Sequence, residues 1–153
     1  TLFIAGPGAD DVINKIKDIA GEKLGKTIHL LGCLPNDKAV ELINSVDIIS
    51  LPSYYIWEAF PISILEAMSR GKIVISTNRA AIPDMLTAID GSKCGILVEE
   101  KSVDSVKEAI QWCQTHTVNA DEICKKAYEK VCKRYSSEIV FERYTELYTL
   151  LKI

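Results

Sequence analysis

From Leu2 to Glu99, short unbroken apolar runs alternate with longer segments in which apolar residues recur every three or four positions. Unbroken runs of this length read as strands covered on both faces, and the recurrence near 3.6 residues reads as helix. Strands are expected at Leu2–Ala5 (LFIA), Ile28–Gly32 (IHLLG), Asp47–Leu51 (DIISL), Lys72–Thr77 (KIVIST) and Gly95–Glu99 (GILVE). Between them, helices are expected at Asp10–Gly21, with Val12, Ile13, Ile16, Ile19 and Ala20 at helical spacing, and at Asn36–Val46, with Val40 and Ile43 apolar and Asn36 as N-cap. A third helix, Pro61–Gly71, carries proline and glycine at the ends each favours. After Glu99 the alternation stops, and three helices are expected in succession: Val103–Gln114, Ala120–Tyr135 and Ser137–Ile153. The pattern predicts an α/β class with a Rossmann-like parallel sheet flanked by helices.

Ligands of such sheets bind beyond the carboxyl ends of the strands. Those ends carry Gly6-Pro7-Gly8, Gly32-Cys33-Leu34-Pro35, Pro52-Ser53-Tyr54-Tyr55 and Asn78-Arg79-Ala80-Ala81. A dinucleotide fingerprint starting at Gly6 and Gly8 fails, because its third glycine would fall on Asp11. The glycine pair therefore reads as a tight turn in preference to a phosphate cradle.

Composition narrows the classes further. The 153 residues match one domain, and 18 basic against 21 acidic side chains leave a net charge of -3 with no block of one sign to hold a nucleic acid. Five cysteines, Cys33, Cys94, Cys113, Cys124 and Cys132, form no C-x-x-C pair, which suggests a reducing cytosol and a role as small core fillers. With only His29 and His116 beside them, no metal site is expected. No apolar run approaches the ~20 residues that span a bilayer, so a soluble chain is expected.

The candidate chemistry lies in "PSYYIWEAFPISILEAMSRG", where Glu58 and Glu66 are separated by seven residues. If a helix starts near Pro61, Glu58 stands just before it and the Glu66 side chain leans back toward its first turn. The amides of Ile62, Ser63 and Ile64 would lack intrahelical partners there and would favour an anion. A diphosphate at the helix start, a diol at Glu66 and a hydroxylated group at Glu58 describe a nucleotide-sugar. Spacing alone leaves another reading open, in which Glu66 and Arg70 form an ordinary i,i+4 surface pair and Tyr54, Tyr55, Trp57 and Phe60 merely pack.

The stretch "PSYYIWEAFPISILEAMSRGKIVIST" resembles the signature of family 4 retaining glycosyltransferases: a Pro-Ser loop, E-G-F-G/P, L-E-A-M and G-x-P-V-V, with an E-x7-E element matched by Glu58 and Glu66. "FIAGPG", "IHLLGCLPNDKAVELINSVDIISLPS", "GSKCGILVE" and "RYSSEIVFERYTELYTLL" resemble, in order, the same family's other motifs. The resemblance implies the C-terminal, donor-binding half of a GT-B enzyme, with the N-terminal acceptor domain and the first strand of this domain lying upstream of Thr1. It implies a nucleotide-sugar donor, a UDP-sugar foremost, and a saccharide or lipid-linked acceptor held mainly by the other domain. Glu58 would be the catalytic carboxylate at the donor sugar and Glu66 would hold the ribose hydroxyls. Ser53, Phe60, Pro61, Ile62, Ser63 and Leu65 would surround the donor. Gly32, Cys33 and Leu34 would flank the nucleobase, and Gly6 and Gly8 would turn the chain near the phosphate. No cofactor and no metal are implied, since cationic side chains and helix amides would stabilise the departing diphosphate.

The chain departs from that pattern at Ala59 for a glycine, Ala80-Ala81 for Gly-Gly, Asp84 for glutamate and Ile73 for proline. Two alternatives stand beside sugar transfer in bacterial surface polysaccharide or glycolipid synthesis, the second of them supported by the Ala59 and Ala80-Ala81 departures alone. One is a nucleotide-sugar epimerase of GT-B fold, and the other is a non-catalytic α/β interaction domain. The implied setting is cytoplasmic, with peripheral attachment at the inner face of the membrane.

Overall fold

The computed structural model describes residues 1–151. Five strands, β1 (Leu2–Ala5), β2 (Ile28–Gly32), β3 (Ile48–Leu51), β4 (Ile73–Thr77) and β5 (Ile96–Val98), alternate with helices α1 (Asp10–Ala20), α2 (Asn36–Ser45), α3 (Ile62–Met68) and α4 (Ile82–Met85). The helices α5 (Val103–Thr115), α6 (Thr117–Arg134) and α7 (Ser137–Leu151) follow. Lys152 and Ile153, where the last helix was expected to end, lie outside the described residues. The α/β class holds, with every ladder parallel and the strands in two sheets, β1-β2 and β3-β4-β5. The chain divides into two compact units, Thr1–Leu42 and Ile43 onward, a boundary that falls inside α2.

In the first unit, β1 pairs with β2 from Leu2 opposite Ile28 to Ala5 opposite Gly32. The expectation of strands covered on both faces fails here, because Leu2 and Phe3 are exposed. The apolar stripe of α1 is also narrower than its sequence suggests. Ile13, Ile16 and Ala20 are sheltered, whereas Val12 and Ile19 stand a quarter turn round the helix and are 50% and 77% exposed. Asn36 is the first residue of α2 and not its N-cap. The Pro35 carbonyl accepts the first helical hydrogen bond, from the Ala39 amide at 2.9 Å, which makes Pro35 the capping position.

The second unit is built around β4, which is hydrogen-bonded on both sides and buried at every residue. Its alternation sorts the core into two layers. Val74 faces a cluster with Ile64, Ala67 and Met68 of α3, Ile82 and Met85 of α4, Leu86, Cys94 and Ala127. Ile73 and Ile75 face the other cluster, with Val98, Ala109, Cys113 and Ala120. Each large aliphatic side chain fully buried this way contributes about 1.5–3 kcal/mol. Helix α4 has no counterpart among the sequence expectations, since four residues containing Pro83 carry no readable period. Cys94 and Cys113 are core fillers as expected, and burial pushes the Cys94 thiol up to about 11. Cys33 and Cys132 are exposed and fill nothing.

Candidate functional site

At the carboxyl ends of β1 and β2, the two glycine loops meet. The Gly6 amide donates to the Gly32 carbonyl at 2.8 Å, and both residues have positive φ, 134° and 63°. These conformations favour glycine at both positions. Gly8 is required for a different reason. A Cβ there would stand 3.2 Å from Ile13 Cγ1, so the glycine lets the loop lie close over α1. Cys33 is exposed and Leu34 is half-buried beside them.

In the second unit, the loop between β3 and α3 carries Glu58 and is fixed at both of its ends. At the near end Ser76 Oγ donates to the Leu51 carbonyl at 2.6 Å, and Thr77 Oγ1 donates to the Ser53 carbonyl. Ser53 Oγ in turn accepts from the Tyr55 amide at 3.2 Å. At the far end the Ala81 amide donates to the Ala59 carbonyl at 3.3 Å, and the Phe60 ring meets Tyr135 edge-on at 5.8 Å. Between these anchors a turn, closed by the Glu58 amide on the Tyr55 carbonyl at 3.1 Å, presents Tyr54, Tyr55, Ile56 and Trp57 to solvent. The Lys101 ammonium lies 5.3 Å from the centre of the Tyr54 ring.

Helix α3 begins after Pro61, which occupies the N-cap and is buried. One expectation about its first turn is corrected. The Ile64 amide is already engaged, donating to the Pro61 carbonyl at 3.1 Å, so only Ile62 and Ser63 keep amides without an intrahelical acceptor. The end of α3 is closed as the sequence predicts, by Gly71 at φ 64° with the Lys72 amide reaching back to the Ala67 carbonyl at 3.1 Å. Leu65 packs its side chain against the core.

Glu58 and Glu66 are both half-buried. The surface pair that spacing left open for Glu66 does not form. Arg70 Nη1 donates to the Glu66 backbone carbonyl at 2.9 Å and to Ser69 Oγ at 3.1 Å. Among the described residues neither carboxylate makes a hydrogen bond or ion pair, and no buried side-chain oxygen lacks a partner, so both carboxylates open to solvent. Along the chain the two unpartnered carboxylates bracket the first turn of α3, Glu58 in the loop before Ile62 and Glu66 in the second turn of the helix. A groove of about 320 Å³ lined by Gly71, Asp121, Cys124, Lys125 and Tyr128 lies at the other end of α3 and holds neither glutamate.

Two further features of this edge lie in the loop after β4. Arg79, after β4, grips Glu100, after β5, through two hydrogen bonds. Ala80 has φ 47°, a left-handed conformation that an L residue rarely adopts. The second is what the resemblance leads one to look for, since Gly-Gly is usual at that place.

The sequence profile of the family described as Glycosyl transferases group 1 matches residues 1–131. The chain belongs to this family. It is 31% identical over 122 residues to the N,N'-diacetylbacillosaminyl-diphospho-undecaprenol alpha-1,3-N-acetylgalactosaminyltransferase of Campylobacter jejuni, a match covering 79% of this chain and 30% of that protein. Its fold matches HepE of Anabaena, solved with UDP and glucose, at a TM-score of 0.81 and 18% identity, over 100% of this chain and 41% of that one. The C-terminal domain of a group 1 glycosyl transferase (LpcC) from Francisella tularensis matches at a TM-score of 0.72 and 22% identity, over 84% of this chain and 64% of that one. The chain thus has the α/β fold of GT-B glycosyltransferases and spans about a third of the length of the curated relatives it matches. Among the described residues no helix is long and apolar enough to cross a membrane.

Proposed function

We propose that this chain is the nucleotide-sugar binding half of a family 4 glycosyltransferase that retains the anomeric configuration of its donor. The observation that carries the reading is the pair Glu58 and Glu66, half-buried and free of protein partners on either side of the first turn of α3, in a member of the group 1 family. Glu66 holds the ribose hydroxyls of a UDP-sugar. Glu58 meets the sugar, and the amides of Phe60, Ile62 and Ser63 meet the diphosphate oxygens. Ser53, Pro61 and Leu65 shape this wall of the donor site. The acceptor is a saccharide or lipid-linked saccharide bound mainly by a second, N-terminal domain, in bacterial surface polysaccharide or glycolipid synthesis at the cytoplasmic face of the membrane. The Campylobacter relative's undecaprenol-linked acceptor and the UDP bound to HepE support this choice.

In the proposed reaction the acceptor oxygen attacks the anomeric carbon on the face the diphosphate leaves. The C–O bond to the acceptor forms as the C–O bond to phosphate breaks, and the acceptor proton passes to the departing phosphate oxygen. Fixed amide and cationic groups stabilise the charge growing on that oxygen without a metal. The non-catalytic alternative rested on Ala59 and Ala80-Ala81, and Ala80 in a glycine-like conformation removes part of that support.

The test is a transfer and donor-hydrolysis screen of the full-length protein against UDP-, GDP- and ADP-sugars, with and without EDTA. Transfer from a UDP-sugar, with the anomeric configuration kept and EDTA changing the rate by no more than a few-fold, is expected. Absence of transfer with every donor, inversion of the product, or loss of activity to EDTA restored by Mg²⁺ would each overturn the corresponding part.

A further inference from the structure

Tyr135 sits at the C-cap of α6, far along the chain from the loop that carries Glu58, yet its ring is the packing partner of Phe60. The two rings meet edge to face, with centroids 5.8 Å apart at 63°, an arrangement aromatic pairs prefer. The opposite surroundings of Tyr135 are equally ordered. Its backbone amide donates to the Val131 carbonyl at 2.8 Å, and its hydroxyl makes a long contact of 3.5 Å to Asp84 Oδ2. The ammonium of Lys130 stands 5.9 Å from the centre of its ring.

Lys130 ties that end of α6 to its surroundings. It is 2% exposed, a rare state for a lysine, and its ammonium is held by the carbonyls of Asp84 and of Thr87, the latter at 2.6 Å, with the Asp84 carboxylate 4.0 Å away. Those carbonyls belong to α4 and to the second residue beyond its end, so a buried cation fastens α6 to the C-terminal end of the short helix. Tyr135, five residues further on, then projects from a fixed platform onto Phe60. Phe60 is followed by the N-cap of α3 and preceded by Ala59, whose carbonyl is tied to Ala81, also at the start of α4.

We propose that Tyr135 is a positioning residue, through which the C-terminal end of α6 holds Phe60 and with it the backbone of Glu58. The inference rests on the donor-site reading given above. It predicts a division of labour. The ring contact acts on the loop and its carboxylate, whereas Glu66, carried by α3, whose Ile64, Ala67 and Met68 are fixed in the core, keeps its place without it.

Tyr135→Leu in the full-length protein removes the aromatic contact, and with it the long hydroxyl contact to Asp84, while leaving an apolar side chain at a half-buried site. Amide exchange across Tyr54–Phe60 is expected to accelerate by about ten-fold, with exchange across Ile62–Met68 unchanged, because the loop alone loses its anchor. In the same variant kcat for sugar transfer is expected to fall by about ten-fold while free UDP binds within about two-fold of wild type. Tyr135→Phe retains the ring and should return both exchange and kcat to within about two-fold. Phe60→Leu, made from the more exposed side of the same contact, should reproduce the accelerated exchange if Tyr135→Leu proves insoluble. Unchanged loop exchange in these leucine variants overturns the proposal. So does a loss of UDP affinity in step with kcat and with exchange throughout α3, which is general loosening. Failure of the wild-type protein to transfer any sugar would sink the enzymatic reading instead, and the exchange comparison would still decide whether Tyr135 anchors the loop.

Discussion

Arg79 and Glu100 form a bidentate pair: Nε donates to Oε1 at 2.9 Å and Nη2 to Oε2 at 2.8 Å. The fork-to-fork geometry joins the loop after β4 to the loop after β5, and it fixes the residue that precedes the strained Ala80. The hydrogen bonds from Arg79, and then its charge, draw the Glu100 carboxyl below its ordinary value of 4.5.

A depressed folded-state pKa has a defined consequence for pH. The contribution of Glu100 is complete above 4.5 and is lost as the pH falls through the lowered folded value. Urea titrations of wild type and Glu100→Gln should therefore differ most near neutrality, and the two should converge in acid. A difference that stays constant down to acid would mean that the pair contributes nothing through its charge.

Ala80 offers a test of strain. At φ 47° an alanine bears a steric cost of roughly 1–2 kcal/mol that glycine does not, partly offset by glycine's greater freedom when unfolded. Ala80→Gly should stabilise the protein by about 0.5–1 kcal/mol, read as a higher urea midpoint at unchanged slope. Ala59→Gly is the control. Ala59 has no positive φ, so the same exchange should lower the midpoint.

Glycine at position 95 works in the reverse sense, through space and not through conformation. A Cβ there would lie 2.6 Å from Cδ2 and 3.0 Å from Cγ of Leu86, a buried side chain in the layer shared with Val74 and Cys94. Leu86 must move into neighbours that are already close-packed, and Gly95→Ala should cost about 1–3 kcal/mol. Combining it with Leu86→Ala should cost less than the two changes summed, because the new methyl enters the space the leucine leaves. Strict additivity would show that Leu86 is not what the methyl meets.

How much of this was readable beforehand follows from the range of each interaction. The strand β4 was legible because burial on both faces leaves an unbroken apolar run, and the helix α3 because Pro61 and Gly71 mark its ends locally. The glutamate pair was legible as a motif, since both members lie in one short segment. The contacts that hold the Glu58 loop were not. Thr77 reaches the Ser53 carbonyl, Lys130 reaches the carbonyls of Asp84 and Thr87, and Tyr135 reaches Phe60, and each joins a common residue type to a backbone group or ring distant in sequence. The division at Leu42 left no trace either, because the alternation of strand and helix continues across it without a change in composition. The spent amide of Ile64 depends on a single tight bond at the helix start, a detail finer than any periodicity.

The two glutamates can be separated by what each does to affinity and to rate. Both are half-buried with no protein partner among the described residues, so neither substitution breaks a bond within the fold, and circular dichroism should show both variants folded. If Glu66 accepts charge-assisted hydrogen bonds from the ribose hydroxyls, Glu66→Ala weakens free UDP as well as the intact donor, by roughly 1.5–3 kcal/mol for one such bond. If Glu58 meets the sugar and its interaction strengthens as the bond to phosphate breaks, Glu58→Gln leaves UDP affinity almost unchanged. It then lowers transfer by about 10²-fold, or ~2.7 kcal/mol. Calorimetry of UDP binding beside a transfer assay on the same preparations reads both quantities. Substitutions that act alike, or that are both silent, would remove the assigned roles, and the carboxylates would then be solvated charge on a loop and a helix whose geometry serves packing alone.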